Sequence, residues 1–157
     1  MFKQSRLFAP LILPLALIAV TEPGYAQKVS VEIGNVSRND SRTKKSSDGK
    51  SQVIAVSHEF RFGSTVAVKL VEMVATLEIV NSDGSKSRAV KNIQDGTSNA
   101  LNTESFNIQI PDGAFARDFK LTLKGKFRLG DAADLIEGAA VKTGRFPAPA
   151  NFIDRKK

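Results

Sequence analysis

The chain has 157 residues and contains neither cysteine nor tryptophan, which excludes disulfides, thiolate metal sites, a thiol nucleophile and a lipidated cysteine anchor. Its one histidine leaves a single side chain for any mechanism built on an imidazole. Lysine and arginine number 23 against 16 acids, a net charge of +7, a balance that favours long-range attraction to polyanions.

Met1 to Ala26 has the make-up of a cleavable secretory signal peptide. Lys3 and Arg6 precede the apolar run Leu7 to Val20, and Gly24 and Ala26 place small residues at the third and first positions before a cut. The apolar run is 14 residues, about 21 Å of helix, short of the roughly 30 Å hydrocarbon core, so a leader is expected and not an anchor. Cleavage after Ala26 leaves 131 residues from Gln27, one domain by size and without a transmembrane segment. Loss of Lys3, Arg6 and Glu22 leaves 21 basic and 15 acidic residues, a net +6. The expected location is secreted or periplasmic, most naturally a bacterial envelope.

Lys28 to Val36 opens the mature chain with Val29, Val31 and Ile33 on one face, the period-two pattern of a half-buried strand. Arg38 to Ser51 holds no apolar residue and five cations, and predicts a mobile basic loop over 38–51. Alternation returns from Gln52 with Ile54, Val56, His58, Phe60 and Phe62 on one side, and Gly63-Ser64 ends it. Thr65 to Val80 predicts two strands divided near Glu72-Met73. Asn81-Ser82-Asp83-Gly84 predicts a turn that makes Val74 to Val80 and Ser85 to Lys91 a hairpin.

Ser105 to Ile110 is a further predicted strand, with Phe106, Ile108 and Ile110 inward, and Pro111-Asp112-Gly113 turns the chain. In the next strand Phe119, Leu121, Leu123, Phe127 and Leu129 alternate with Lys120, Thr122, Lys124, Lys126 and Arg128, with Gly125 a gap on the apolar side. Asp131 to Val141 predicts one short helix capped by Asp131. Arg145 to Lys157, with Pro147 and Pro149, predicts a frayed basic tail. Six to eight strands at this spacing argue an all-β, antiparallel β-sandwich over 27–144, immunoglobulin-like or related, with one short C-terminal helix. The strand rhythm resembles the small immunoglobulin-type sandwiches of bacterial periplasmic and surface proteins, accessory chaperones of fibre assembly among them. That likeness is architectural and carries over no residue.

His58 shares its face with Ile54, Val56, Phe60 and Phe62, while Glu59 points to the other side and cannot orient the ring. A structural, hydrogen-bonded histidine is expected, not a catalytic one. Asp131, Asp134 and Glu137 lack the every-second-residue spacing of a calcium loop, and acids at a helix start account for them without metal. No catalytic residue, metal or cofactor is assigned. Asn35-Val36-Ser37 and Asn39-Asp40-Ser41 match the glycosylation sequon, a pattern common by chance.

The row Lys120, Lys124, Lys126 and Arg128 sets four like charges along about 27 Å of one strand face. If Ser105 to Ile110 is the neighbour, it offers only Ser105, Asn107 and Gln109 across the ladder, so the row is expected to lack internal counter-ions. Lys44 and Lys45 add charge from the predicted loop. The expectation is a non-enzymatic binding or accessory module that contacts an anionic polysaccharide, lipid head groups or an acidic protein partner through these six residues. No specific nucleic-acid recognition is expected, because stacking aromatics are missing. The alternative is a structural subunit or assembly chaperone of a surface fibre that works by strand pairing, and a small hydrolase using His58 comes third.

Overall fold

The structure is a computed structural model and describes residues 28–150. The expected leader at 1–26 and the last seven residues of the expected tail lie outside the described residues. Seven strands follow one another: β1 (Ser30–Lys45), β2 (Ser51–Gly63), β3 (Val68–Asn81), β4 (Lys86–Ile93), β5 (Asn102–Pro111), β6 (Ala116–Leu129) and β7 (Leu135–Arg145). They form two antiparallel sheets, β1-β2-β5 and β4-β3-β6-β7, which close on each other as a sandwich.

Strict alternation builds the core. Ile54, Val56, Phe60 and Phe62 from β2, Phe106, Ile108 and Ile110 from β5, and Leu70, Met73, Leu77 and Ile79 from β3 are all buried. They meet Leu121, Leu123, Phe127 and Leu129 of β6, and each large apolar side chain removed from water contributes about 1.5–3 kcal/mol. Phe62 and Phe127 join the two sheets with ring centroids 5.2 Å apart. The β3–β4 hairpin forms as the turn signal predicts: Asn81 N–H donates to Ser85 O at 2.8 Å, and Gly84 supplies φ +85°.

The predicted helix over Asp131 to Val141 is not there, and no described residue is helical. From Leu135 the chain is β7, paired with β6 so that Gly125 faces Gly138 and Phe119 faces Gly144. The cause is lateral packing. A Cβ on Gly138 would stand 3.1 Å from the Phe127 ring, and one on Gly144 would stand 2.6 Å from the Phe119 ring. The aromatic rings of β6 fill the space that side chains at 138 and 144 would need, so β7 carries glycine there and its apolar alternation is broken.

Three further expectations change. The predicted loop over 38–51 is strand as far as Lys45, with an irregularity between Asn39 and Lys44 and a tight turn beyond it. Thr65 to Val80 yields one strand, and the expected division is a bulge between Leu70 and Glu72. Phe146, in the predicted frayed tail, is buried against Phe119 with ring centroids 4.8 Å apart.

Every sheet edge carries a charge at an inward-facing position. Arg38 on β1 pairs with Val56, Lys91 on β4 with Ala75, Glu104 on β5 with His58, and Lys142 on β7 with Leu121. Each of those partners faces the core. The charges are satisfied at the seams: Lys91 bonds Glu104 across the gap between the sheets, and Lys142 donates to Gly34 O. A further strand docked on any edge would strand such a charge between two sheets, which is how edges resist unplanned pairing.

Candidate functional site

β6 lies between β3 and β7, not beside β5, and this changes the environment of the predicted cationic row. Lys120 stands opposite Glu78, and Lys126 stands between Glu72 and Glu137. Glu78 comes within 4.0 Å of Lys120, and Glu72 within 3.7 Å of Lys126. The expectation that the whole row lacks counter-ions is therefore corrected: two of its four cations face acids donated by neighbouring strands. All four of these side chains are about half exposed, so each pair contributes at most about 1 kcal/mol.

Lys124 and Arg128 remain open. Lys124 sits between Val74 and Ala139, and Arg128 sits between Lys69 and Leu135. Among the described residues neither forms an ion pair. The outer face of this sheet gathers further cations from other strands: Lys86 and Arg88 on β4, Lys69 on β3 and Arg145 on β7. Arg145 is held by Asp118, whose carboxyl lies below the usual range because Arg145 and Arg117 both donate to it. Glu72, Val74, Lys124, Gly125, Lys126, Glu137, Gly138 and Ala139 line a depression of about 420 Å³, so Lys124 rises from a recess that also holds Lys126 and two carboxylates.

Lys44 and Lys45 belong to another surface. Lys44 pairs with Val53 near the end of β1, on the outer face of the three-stranded sheet, with both sheets of the sandwich between it and Lys124. Lys44 and Lys45 line a pocket of about 620 Å³ with Arg42, Val53 and Asn107. Lys45 reaches Asp112 at 3.5 Å. The six residues grouped by their charge in the sequence thus form two patches on opposite outer faces. Arg42 was not singled out by the sequence, because its place in the pocket depends on the irregularity after Asn39.

His58 is buried as predicted, but the expected hydrogen bond is missing: among the described residues neither ring nitrogen has a partner. It packs between Phe60 and Phe106, with ring centroids 5.9 and 5.3 Å away. Burial pushes its pKa down to about 4, against an upward pull from Glu104, while Lys91 adds to the lowering. A neutral ring walled off by phenylalanines offers no base to a substrate. Asp131, Asp134 and Glu137 do not converge either, and no group of three potential metal ligands forms among the described residues.

At one end of the sandwich Arg38 is a buried cation with a full set of acceptors. Its guanidinium forks onto Asp40, donates to Ala116 O at 2.9 Å and to Pro147 O at 2.8 Å, and lies 5.9 Å from the Phe146 ring centroid. It ties β1 to β6 and to the chain after β7, and its donors are spent on the protein itself.

No protein-family model matches the chain, and no curated protein does. Among solved structures, a Northeast Structural Genomics Consortium target determined by X-ray crystallography is similar over 78% of this chain and 89% of its own, at 12% identity and a TM-score of 0.50. A protein from Archaeoglobus fulgidus aligns with 75% of this chain and 98% of its own, at 12% identity and a TM-score of 0.38. At this identity the first likeness shows the sandwich fold and nothing about chemistry.

Proposed function

We propose that the chain is an exported, non-enzymatic binding module that takes an anionic polymer onto the outer face of β4-β3-β6-β7. The observation that carries this reading is the charge surplus of that one face. Lys69, Lys86, Arg88, Lys120, Lys124, Lys126, Arg128 and Arg145 stand against Glu72, Glu78, Asp118 and Glu137. Lys124 and Arg128, open to solvent and in no ion pair among the described residues, are the anchoring cations; Lys120 and Lys126 contribute less because Glu78 and Glu72 already face them. A flat face some 27 Å long suits a polymer that lies along β6 better than a compact ion. Export rests on the leader at Met1–Ala26, and the polymer is accordingly one of the cell envelope or beyond.

The strand order supports the finer fold reading as well. In the immunoglobulin constant arrangement the first, second, fifth and fourth strands share one sheet, and the third, sixth and seventh share the other. Here β4 has moved across to pair with β3, which leaves an immunoglobulin-like sandwich with a wider second sheet. That fourth strand brings Lys86 and Arg88 onto the proposed face. Inward charges on all four edges weigh against a fibre subunit that works by strand pairing.

Chromatography of the mature protein on heparin tests the proposal. Retention is expected to fall steeply with salt, because surface contacts are screened within about 8 Å at physiological ionic strength. Lys124→Glu with Arg128→Glu is expected to abolish retention, whereas Lys120→Glu alone lowers it only modestly. Unchanged retention in the double variant rules this face out.

A further inference from the structure

We propose a second, separate binding site on the outer face of the three-stranded sheet, which takes an acidic oligosaccharide with one charged group seated among Arg42, Lys44 and Lys45. It is independent of the polymer-binding face, since the two lie on opposite sides of the sandwich. The pocket end is built from three strands: Arg42, Lys44 and Lys45 from β1 line it with Val53 of β2 and Asn107 of β5. Among the described residues, Lys45 is the one of the three with an acid beside it, Asp112 at 3.5 Å. Arg42 and Lys44 have none among the described residues and are exposed, so the pocket holds uncompensated positive charge and a planar guanidinium suited to a carboxylate or phosphate.

The chemistry changes sharply away from that pocket. In the next rows of the ladder Asn39, Ala55 and Asn107 lie side by side, then Ser37, Ser57 and Ser105, then Glu59 beside Thr103. From Val53 to Ser57 is about 13 Å along the strand, and adjacent strands are about 4.8 Å apart, so the rows form a flat lattice of hydroxyls and amides on the scale of a short oligosaccharide. Ser57 and Ser105 are 2.9 Å apart and bond each other, which orients both hydroxyls.

This distribution selects the ligand class. A polyanion with a charge on every unit would meet uncharged serines and then Glu59, and only its first group would find cations. A lipid surface would need apolar side chains to insert, and the only ones on these rows are Val53 and Ala55, half-buried and buried. Nucleobases would need an aromatic platform, and the rows contain none. A sugar chain with one acid at the pocket and hydroxyls along the lattice satisfies every row.

The test is an NMR titration of the 15N-labelled mature protein with sialyllactose, a trisaccharide with a single carboxylate, with neutral maltotriose and inorganic phosphate alongside. Sialyllactose is expected to shift the amides of Arg42 to Lys45, Val53, Ser57, Ser105 and Asn107, and to bind more tightly than either comparison compound. Arg42→Ala with Lys44→Ala should weaken it by about tenfold or more, since two charge-assisted hydrogen bonds are lost. Ser57→Ala with Ser105→Ala, which lie beyond the pocket, should weaken sialyllactose by about threefold and leave phosphate untouched. The Lys124→Glu, Arg128→Glu variant should bind sialyllactose like the parent. The proposal is overturned if no shifts occur on this face, if phosphate matches sialyllactose and the two serine replacements have no effect, or if binding is lost with the Lys124 and Arg128 reversals.

Discussion

His58 lies directly across the β2–β5 ladder from Glu104, yet neither ring nitrogen finds a hydrogen bond there or on any other described residue. The carboxylate turns instead to Lys91 across the seam between the sheets. The ring is left neutral in an apolar setting, and this fixes how the protein responds to acid.

The folded pKa of His58, about 4, lies below the ordinary value of 6.5. The unfolded chain therefore takes up a proton first as pH falls, and stability present above pH 6.5 is lost between 6.5 and about 4. The loss attributable to His58 amounts to about 3 kcal/mol. In His58→Phe that part of the pH dependence disappears, and stability at neutral pH stays equal or rises by about 1 kcal/mol because the orphaned nitrogens are gone. Urea unfolding at pH 7.5 and 4.5 checks both; equal acid sensitivity in parent and variant would show that the ring does not govern it.

Arg38→Met is expected to destabilise the fold by about 2–4 kcal/mol, since Ala116 O, Pro147 O and Asp40 lose their donor together. Asp40→Asn should cost under about 1 kcal/mol, because the carboxylate is itself half exposed. Thermal unfolding of the two variants makes the comparison, and similar losses would mean that the Asp40 pair, not the backbone acceptors, is what Arg38 supplies.

Gly125→Ala is expected to cost about 1–3 kcal/mol from overpacking. The added Cβ would stand 2.6 Å from the Phe127 ring and 3.3 Å from Met73 Cε, and both neighbours are fully buried. Gly84→Ala would instead meet open space but must hold φ +85°, so its cost is one of backbone strain, about 1 kcal/mol. Denaturant midpoints with near-neighbour spectra separate the two: ring shifts for Phe127 accompany only the first.

Lys126→Glu would set a third carboxylate between Glu72 and Glu137 and is expected to destabilise the sheet by up to about 1 kcal/mol. Lys124→Glu, flanked by Val74 and Ala139, should stay within about 0.5 kcal/mol of the parent. If their unfolding midpoints coincide, the cross-strand acids contribute nothing and the cationic row is open after all.

Alternation within one strand is a local property, so β2, β5 and β6, the turn at Gly84 and the all-β class could be read from residue order. Lys120, Lys124, Lys126 and Arg128 share one face for the same reason. β7 was hidden because its inward positions answer to the Phe119 and Phe127 rings of another strand, and β1 beyond Ser37 was hidden because its inward residue is a hydrogen-bonded arginine. The pocket at Arg42 depended on how β1 departs from its ladder after Asn39.

Residue order by itself determined the export leader as an expectation, the strand-forming segments, the surplus of positive charge and the seclusion of His58 from Glu59. Tertiary structure alone decided that Glu78 and Glu72 face Lys120 and Lys126, that Lys124 and Arg128 stay open, and that Lys44 lies on the opposite face. The reason is physical. A strand's own faces follow from its period of two, but its counter-ions come from whichever strands pair beside it, and that choice is made by the packing of the whole core.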